Sequence, residues 1–351
     1  MSDGIASERD AAWLSGPGTA WPGPGVRSAE PEAGAGTPDD GTYRSRTALD
    51  PRRRLQLVLG GIWLLDAVLQ YQSFMFTRAF ARMLAESAQG NPAFIAGPVT
   101  WSARLIDHHV VVMNAVFATI QLLLGLGIAW RPTVKVALGA SVVWALAVWW
   151  LGEGLGLVLT GDASPANGAP GAVIIYALLA VLLWPAREDR PSPFVAGRAV
   201  GARAARLLWL VLWVSLAYLA VQPAARAPEG LSSTISGMAA GEPGWLASLD
   251  SYLGRLLGHR GLAASVVLAA VLAVIAVGVY LPPPASRAVL VLAVVVAAAL
   301  WVAEGLGEVF TGTGTDPNTG PLLALLAVAY WPAGLTAARH RQGTPDRAGG
   351  R

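Results

Sequence analysis

The sequence predicts an all-α polytopic membrane protein, with eight transmembrane helices arranged as two tandem four-helix bundles. Three observations carry this reading. Of 351 residues, 54% are hydrophobic and only 13% charged, about half the roughly 25% charge of a soluble globular chain. Eight apolar stretches approach the roughly 20 residues that cross a hydrocarbon core of about 30 Å. Many residues recur at a spacing near 151, which marks an internal repeat.

Residues 1–45 are rich in Gly, Pro, Ala and acids, with a net charge of −5 over residues 1–43. They lack an apolar period and read as a disordered cytoplasmic tail. The first apolar stretch begins only after Arg52, Arg53 and Arg54, so no signal peptide is expected. The apolar stretches lie near 55–76, 109–130, 132–151, 170–186, 204–222, 261–281, 287–303 and 319–335. Helix is the backbone state expected for each, because an open strand leaves amides unsatisfied in lipid. The first bundle then occupies 46–190, the second 191–336, and a cytoplasmic tail 337–351.

With the N-terminus inside, 17 of the 23 Arg and Lys beyond residue 43 fall on the inner side. This bias predicts a multi-pass plasma-membrane protein with both termini cytoplasmic. Trp130, Trp184 and Trp331 fall at inner span ends, and Trp150 and Trp301 at outer ends, as interfacial belts require. The basic excess is that of a membrane flank and needs no nucleic acid.

The repeat is sharpest in the element W-x-x-E-G-L-G-x-V-x-T-G, found at 150–161 and again at 301–312. The same offset pairs Gly90 with Gly241, Pro92 with Pro243, Arg104 with Arg255 and His108 with His259. In the first spans, Trp63 and Gln72 match Trp213 and Gln222 at an offset of 150. An even number of spans per unit implies a pseudo-two-fold axis along the membrane normal. A long outer segment follows the first span of each unit. In the first unit, Phe80, Met83 and Leu84 beside Arg78, Arg82 and Glu86 predict an amphipathic surface helix.

The four-span unit, its long outer segment, the Gly-rich end of its second span (Leu122-Leu123-Leu124-Gly125-Leu126-Gly127) and the basic turn at Arg131 resemble the DoxX-like membrane proteins. The resemblance implies a four-helix transmembrane bundle. It also implies, for some members, association with quinone-linked sulfur oxidation or oxidative-stress partners. No catalytic residue is carried over.

The candidate ligand-binding residues are polar groups at or within the spans. Glu153 and Glu304 end the third spans, with Thr160 and Thr311 following. Ionisable groups there are costly and mark function, or else cap the following turn. Gln72, Arg104 and His108, with Gln222, Arg255 and His259, are expected at the same outer level. They form either a ligand pocket or a structural Arg–Glu lock. Two histidines and two glutamates also make a conceivable divalent-metal set, but the adjacent arginines repel a cation, and no metal is assigned. Asp66 falls about 18 Å along its helix, near mid-membrane. Its counterpart is Leu216, and Asn114, Thr119 and Gln121 are its expected hydrogen-bond partners.

Three function classes stay open. One is a quinone- or small-lipophile-associated redox subunit that works with a redox partner. Another is a small-solute or proton-coupled transporter. The third is a non-catalytic membrane assembly protein. The chain has no cysteine and four histidines, which argues against an autonomous redox enzyme.

Overall fold

The computed structural model describes residues 49–186 and 190–332, which contain helices and no strand. The expected tails at 1–45 and 337–351 lie outside the described residues.

Helix α1 (Pro51–Leu69) opens on a proline, whose missing N–H costs nothing in a first turn. A 3₁₀ turn at Ser73–Phe76 leads to α2 (Arg78–Glu86) and α3 (Ala93–His108). Then come α4 (Val110–Ala129), α5 (Val134–Leu151) and α6 (Ala172–Leu182). The remaining helices are α7 (Gly197–Val200), α8 (Ala202–Leu219), α9 (Pro223–Arg226), α10 (Gly230–Met238), α11 (Gly244–Leu257), α12 (Gly261–Gly278), α13 (Ala285–Ala303) and α14 (Thr319–Ala329).

Five of these helices, α4, α5, α8, α12 and α13, are long and apolar enough to cross a membrane. Only about a third of each is buried inside the protein. The remainder presents side chains such as Val112, Leu123, Val143, Val211, Val267 and Val295 to the outside. An apolar surface of that extent needs lipid to cover it, so the chain is an integral membrane protein in contact with the bilayer.

Five of the eight expected spans thus have the length and composition of a crossing, and α1, α6 and α14 by themselves do not. Helix α1 fails on charge, because it carries Arg52, Arg53, Arg54 and Asp66. Helices α6 and α14 fail on length, at 11 residues each, or about 16 Å. The approach to α6 is broken by Pro170 and by Gly171 at φ +104°. The helix ends before Trp184-Pro185, where a residue preceding proline disfavours the α conformation.

The helices close on a shared aromatic core of Trp63, Tyr176, Trp209, Trp213 and Tyr330, all under 2% exposed. Arg53 donates to the carbonyls of Ile128 (2.8 Å) and Ala129 and closes the end of α4. Gln56 does the same for α6 through Leu183 (2.8 Å). Cationic and amide donors complement the negative ends of helices. Helices α1 and α4 approach closely at Gly60 and Gly125. A Cβ on Gly60 would stand 3.0 Å from the Gly125 carbonyl oxygen, the small-residue contact typical of helix pairs in lipid.

The amphipathic helix expected after the first span is α2. Phe80 is buried, Met83 and Leu84 are half-buried, and Arg78, Arg82 and Glu86 are exposed. With α3 it packs over the end of the bundle, where Ser87 donates to Gly152 O (2.6 Å) and Asn91 to Gly154 O (3.3 Å). Helices α10 and α11 make the corresponding hairpin of the second half, with α10 against the Gly305–Glu308 turn. This is the loop-rich end of the molecule.

Candidate functional site

The two copies of the Trp-Glu-Gly element build the site. At 154–157, φ is 54°, 58°, 63° and 56°; at 305–308 it is 60°, 54°, 70° and 53°. Each is a left-handed turn of four residues, including the non-glycines Leu155, Leu157, Leu306 and Glu308. L-residues enter this region at a cost of about 1–2 kcal/mol each. Glycine is required at Gly156 and Gly307, because a Cβ there would collide with the backbone of Pro170 or Pro317. Each turn thus lies flat against the strand of chain that leads into α6 or α14. Strained backbone of this kind gathers at functional sites.

Between the two turns is a cavity of about 310 Å³. Glu153, Glu304, Glu308 and Asp316 all line it. Among the described residues, no Lys, Arg or His does so. Its walls come from both halves: Gly168 of the first closes on the side chain of Asn318 of the second.

The four carboxylates differ in their partners. Glu304 is 2% exposed and accepts from the Thr319 amide (3.2 Å) and the Thr319 hydroxyl, at the first residue of α14. Asp316 accepts from the Asn318 amide (2.7 Å) and the Thr315 hydroxyl (3.1 Å). Glu308 accepts from the Thr313 hydroxyl (2.8 Å). Glu153 is half-buried as a residue, but its Oε2 is shut off from solvent and has no hydrogen-bond donor. Burial, then the charge of Asp316, pushes Glu153 up to about 8. Burial pushes Glu304 to about 8 as well, with Asp316 adding and the Thr319 bonds opposing. Asp316 is itself raised by burial, against its two hydrogen bonds. Carboxyl groups crowded in this way hold protons near neutral pH.

One turn into α6 from the cavity stands Tyr176. Its hydroxyl donates to Asp66 Oδ2 at 2.6 Å, and its ring packs tilted by 40° against Trp63 with centroids 4.2 Å apart. Asp66 is 1% exposed, and its Oδ1 has no donor. Of the three partners expected for it, Asn114 donates to Gln70 O (2.6 Å) and Thr119 to Ala115 O (2.7 Å), while Gln121 keeps its Oε1 buried without a donor. Asp66 lies three residues beyond Trp63, so both share the face of α1 that meets α6. Leu216 and Leu323 take the places of this pair in the second half, counting back 147 residues from α14, the spacing of Trp184 and Trp331.

The expected outer grouping divides. Glu153 and Glu304 enter the cavity. Arg104 and His108 lie exposed on the last turns of α3, which ends at His108, so the second span starts only after a bend at His109. Arg255 and His259 are also exposed, and His259 pairs with Glu229 at 2.6 Å. Thr160 and Thr311 hold their own turns through Leu157 O (2.9 Å) and Glu308 O (2.8 Å). Gln72 and Gln222 begin the short helices after α1 and α8. Each end reaches the other half: a Cβ on Gly312 would stand 3.8 Å from Gln72 Oε1, and Ala224 N comes within 3.5 Å of Gly161 O. Sequence reasoning missed Glu308, Asp316 and Tyr176. The usable signal was that these polar groups break the repeat.

No protein-family model, curated protein or solved structure matches the chain.

Proposed function

We propose that this protein is a transporter that exchanges protons for a small cationic solute at the four-carboxylate cavity. One observation carries the reading: four acids line a cavity of about 310 Å³, and no basic side chain among the described residues lines it. Four ionised carboxylates in so small a desolvated space repel one another and lose hydration. Protons neutralise them when the cavity is empty, and a cation does so when it is filled. One site that takes either species, but not both, couples their movements. The volume is at the small end of ligand sites and favours an inorganic cation or a compact amine.

The proposal takes the chain as two DoxX-like four-helix units in the plasma membrane, with both termini cytoplasmic. The arginine bias supports this orientation, and the matched angles at 154–157 and 305–308 support duplication. On this view α1 and the two short helices complete eight crossings. The irregular segments before α6 and α14 act as broken helices, since non-helical backbone at depth is tolerated where it lines a cavity.

The test is purified protein in liposomes with a trapped pH dye, challenged in turn with Na⁺, K⁺ and methylammonium. Lumenal pH should move with at least one of them, and the response should vanish in Glu153→Gln and Glu304→Gln. Wild-type liposomes that respond no more than protein-free ones would end the reading.

A second reading, a quinone- or lipophile-associated subunit of a redox complex, is supported by an apolar crevice of about 520 Å³. It lies between α5, α6 and α8 and is lined by Leu146, Trp149, Val211 and Tyr218 among others. Native mass spectrometry should then find retained quinone, lost in Val211→Trp. Wild-type protein carrying bulk lipid alone would remove its support.

A further inference from the structure

Beside the cavity wall, a second set of acids is buried without a hydrogen-bond donor. Asp250 of α11 is 0% exposed, and neither of its carboxyl oxygens has a donor. Both oxygens of Glu242, in the turn between α10 and α11, are likewise buried and without donors. The two carboxyl groups are within hydrogen-bonding reach of each other. Two carboxylates are acceptors only, so that bond exists when one of them carries a proton. Burial, then Asp250, pushes Glu242 up to about 7.

Among the described residues, no cation is paired with either carboxyl group. Glu308 faces it from the 305–308 turn and adds a further negative charge. On α10's side, Glu229 is bonded to His259, and Arg255 of α11 is exposed. The pair also touches the cavity wall. A Cβ on Gly305 would collide with Glu242 Oε1, and Gly305 lies between Glu304 and the remainder of the turn that ends in Glu308. On the other side, Glu242 follows the exposed Gly241. The matching positions of the first half hold Asn91 and Val99, and Asn91 spends its amide on Ser87 O and Gly154 O.

We infer that Glu242 and Asp250 share one proton and pass it to the cavity carboxylates, acting as the loading station at the loop-rich end. The inference rests on the cavity being a proton site, as proposed above. In the transfer, the O–H bond on Glu242 breaks as one forms on Glu308. The pair is left fully ionised and takes its next proton from water beyond Gly241.

The experiment is a stopped-flow pH jump on the full-length protein in lipid nanodiscs, taken from well above about pH 8, where the cavity glutamates are ionised, to below about pH 7. A pH dye counts the protons bound and times their uptake. Wild type should bind the pair's proton first and the cavity protons after it. The double variant Glu242→Asn with Asp250→Val, which installs the residues of the first half, should bind one proton fewer. It should also fill the cavity at least about tenfold more slowly, within the range of lost acid–base relays. Glu242→Gln and Asp250→Asn, which keep side-chain volume, should show the same slowing with helicity intact. An unchanged count, or an unchanged rate for the remaining protons, overturns the inference. The readout needs no transport, so a silent liposome assay would reject the exchange reading and leave this result standing by itself.

Discussion

At 154–157 and at 305–308 the backbone follows the same left-handed path, yet Leu157 of the first turn is Glu308 in the second. The same contrast recurs around it. Asn91 and Val99 correspond to Glu242 and Asp250, whereas Asp66 and Tyr176 correspond to Leu216 and Leu323. Glycines and prolines set a scaffold common to both halves. Each half then adds acids the other lacks, so the cavity has a deep acid on one side and a shallow set on the other. Turns of matched backbone thus carry different sets of acids.

The most severe way to break the comparison is at the scaffold. Gly156→Leu and Gly307→Leu each add left-handed strain and a collision with Pro170 or Pro317. Each should cost on the order of 4 kcal/mol, seen as loss of monodisperse protein or a large fall in thermal stability in detergent. If only one of the two variants is affected, the turns are not equivalent.

The next effect is on pH. Glu153 and Glu304 hold their protons up to about pH 8 when folded, whereas an unfolded glutamate loses its proton near pH 4.3. Between these values the folded state binds more protons than the unfolded one, so stability must fall as pH rises and level off above about 8. Tm should therefore drop by at least about 4 °C from pH 5 to pH 8, and Glu153→Gln with Glu304→Gln should flatten the curve. A wild-type Tm that rises over this interval would refute the buried-proton state.

The deep pair allows a sharper test. Tyr176→Phe leaves a buried carboxyl without its donor and should cost about 1–3 kcal/mol. Replacing both Asp66 and Tyr176 by leucine installs the arrangement of the second half and should recover most of that loss. The two positions are in contact, so their effects will not add. Additive losses would mean that the halves pack differently at this level.

Smaller effects follow at the edges of the site. Thr319→Val removes a hydroxyl donor that holds Glu304 down, so its titration should move upward from about 8, as read by carboxyl infrared difference spectra. His108→Ala and His259→Ala should each change stability by about 1 kcal/mol or less, because both side chains are exposed and the Glu229 pair is solvated. A large loss at either histidine would return them to the site.

The five long helices were legible because each is a run of apolar residues with few charges, and lipid asks for nothing more specific. The two short ones were expected to be longer than their 11 residues. Hydropathy continues through Pro170-Gly171 and Trp184-Pro185, where the backbone cannot continue a helix. Within the site, Glu153 and Glu304 stood out because the motif around them occurs twice. Asp316 and Glu308 did not, because loops bring them in across the junction of the halves, and no local spacing records that approach. Arg104 and His108 are four residues apart and do share a face, as expected, but that face of α3 points away from the protein. Asp66 was found by its depth. Its partner was not, because Tyr176 looked like one more aromatic in an apolar run.

Helices α6 and α14 have a further consequence, an electrical one. Each is about 16 Å long, and the four-carboxylate cavity stands at its N-terminal end. Where water enters that far, the low-dielectric barrier is close to half the usual hydrocarbon thickness. Most of the membrane voltage then falls across these two helices. Moving one elementary charge through 100 mV is worth about 2.3 kcal/mol, so in the eight-crossing arrangement proposed above a charge at the cavity floor would feel a steeper field than one in an ordinary span.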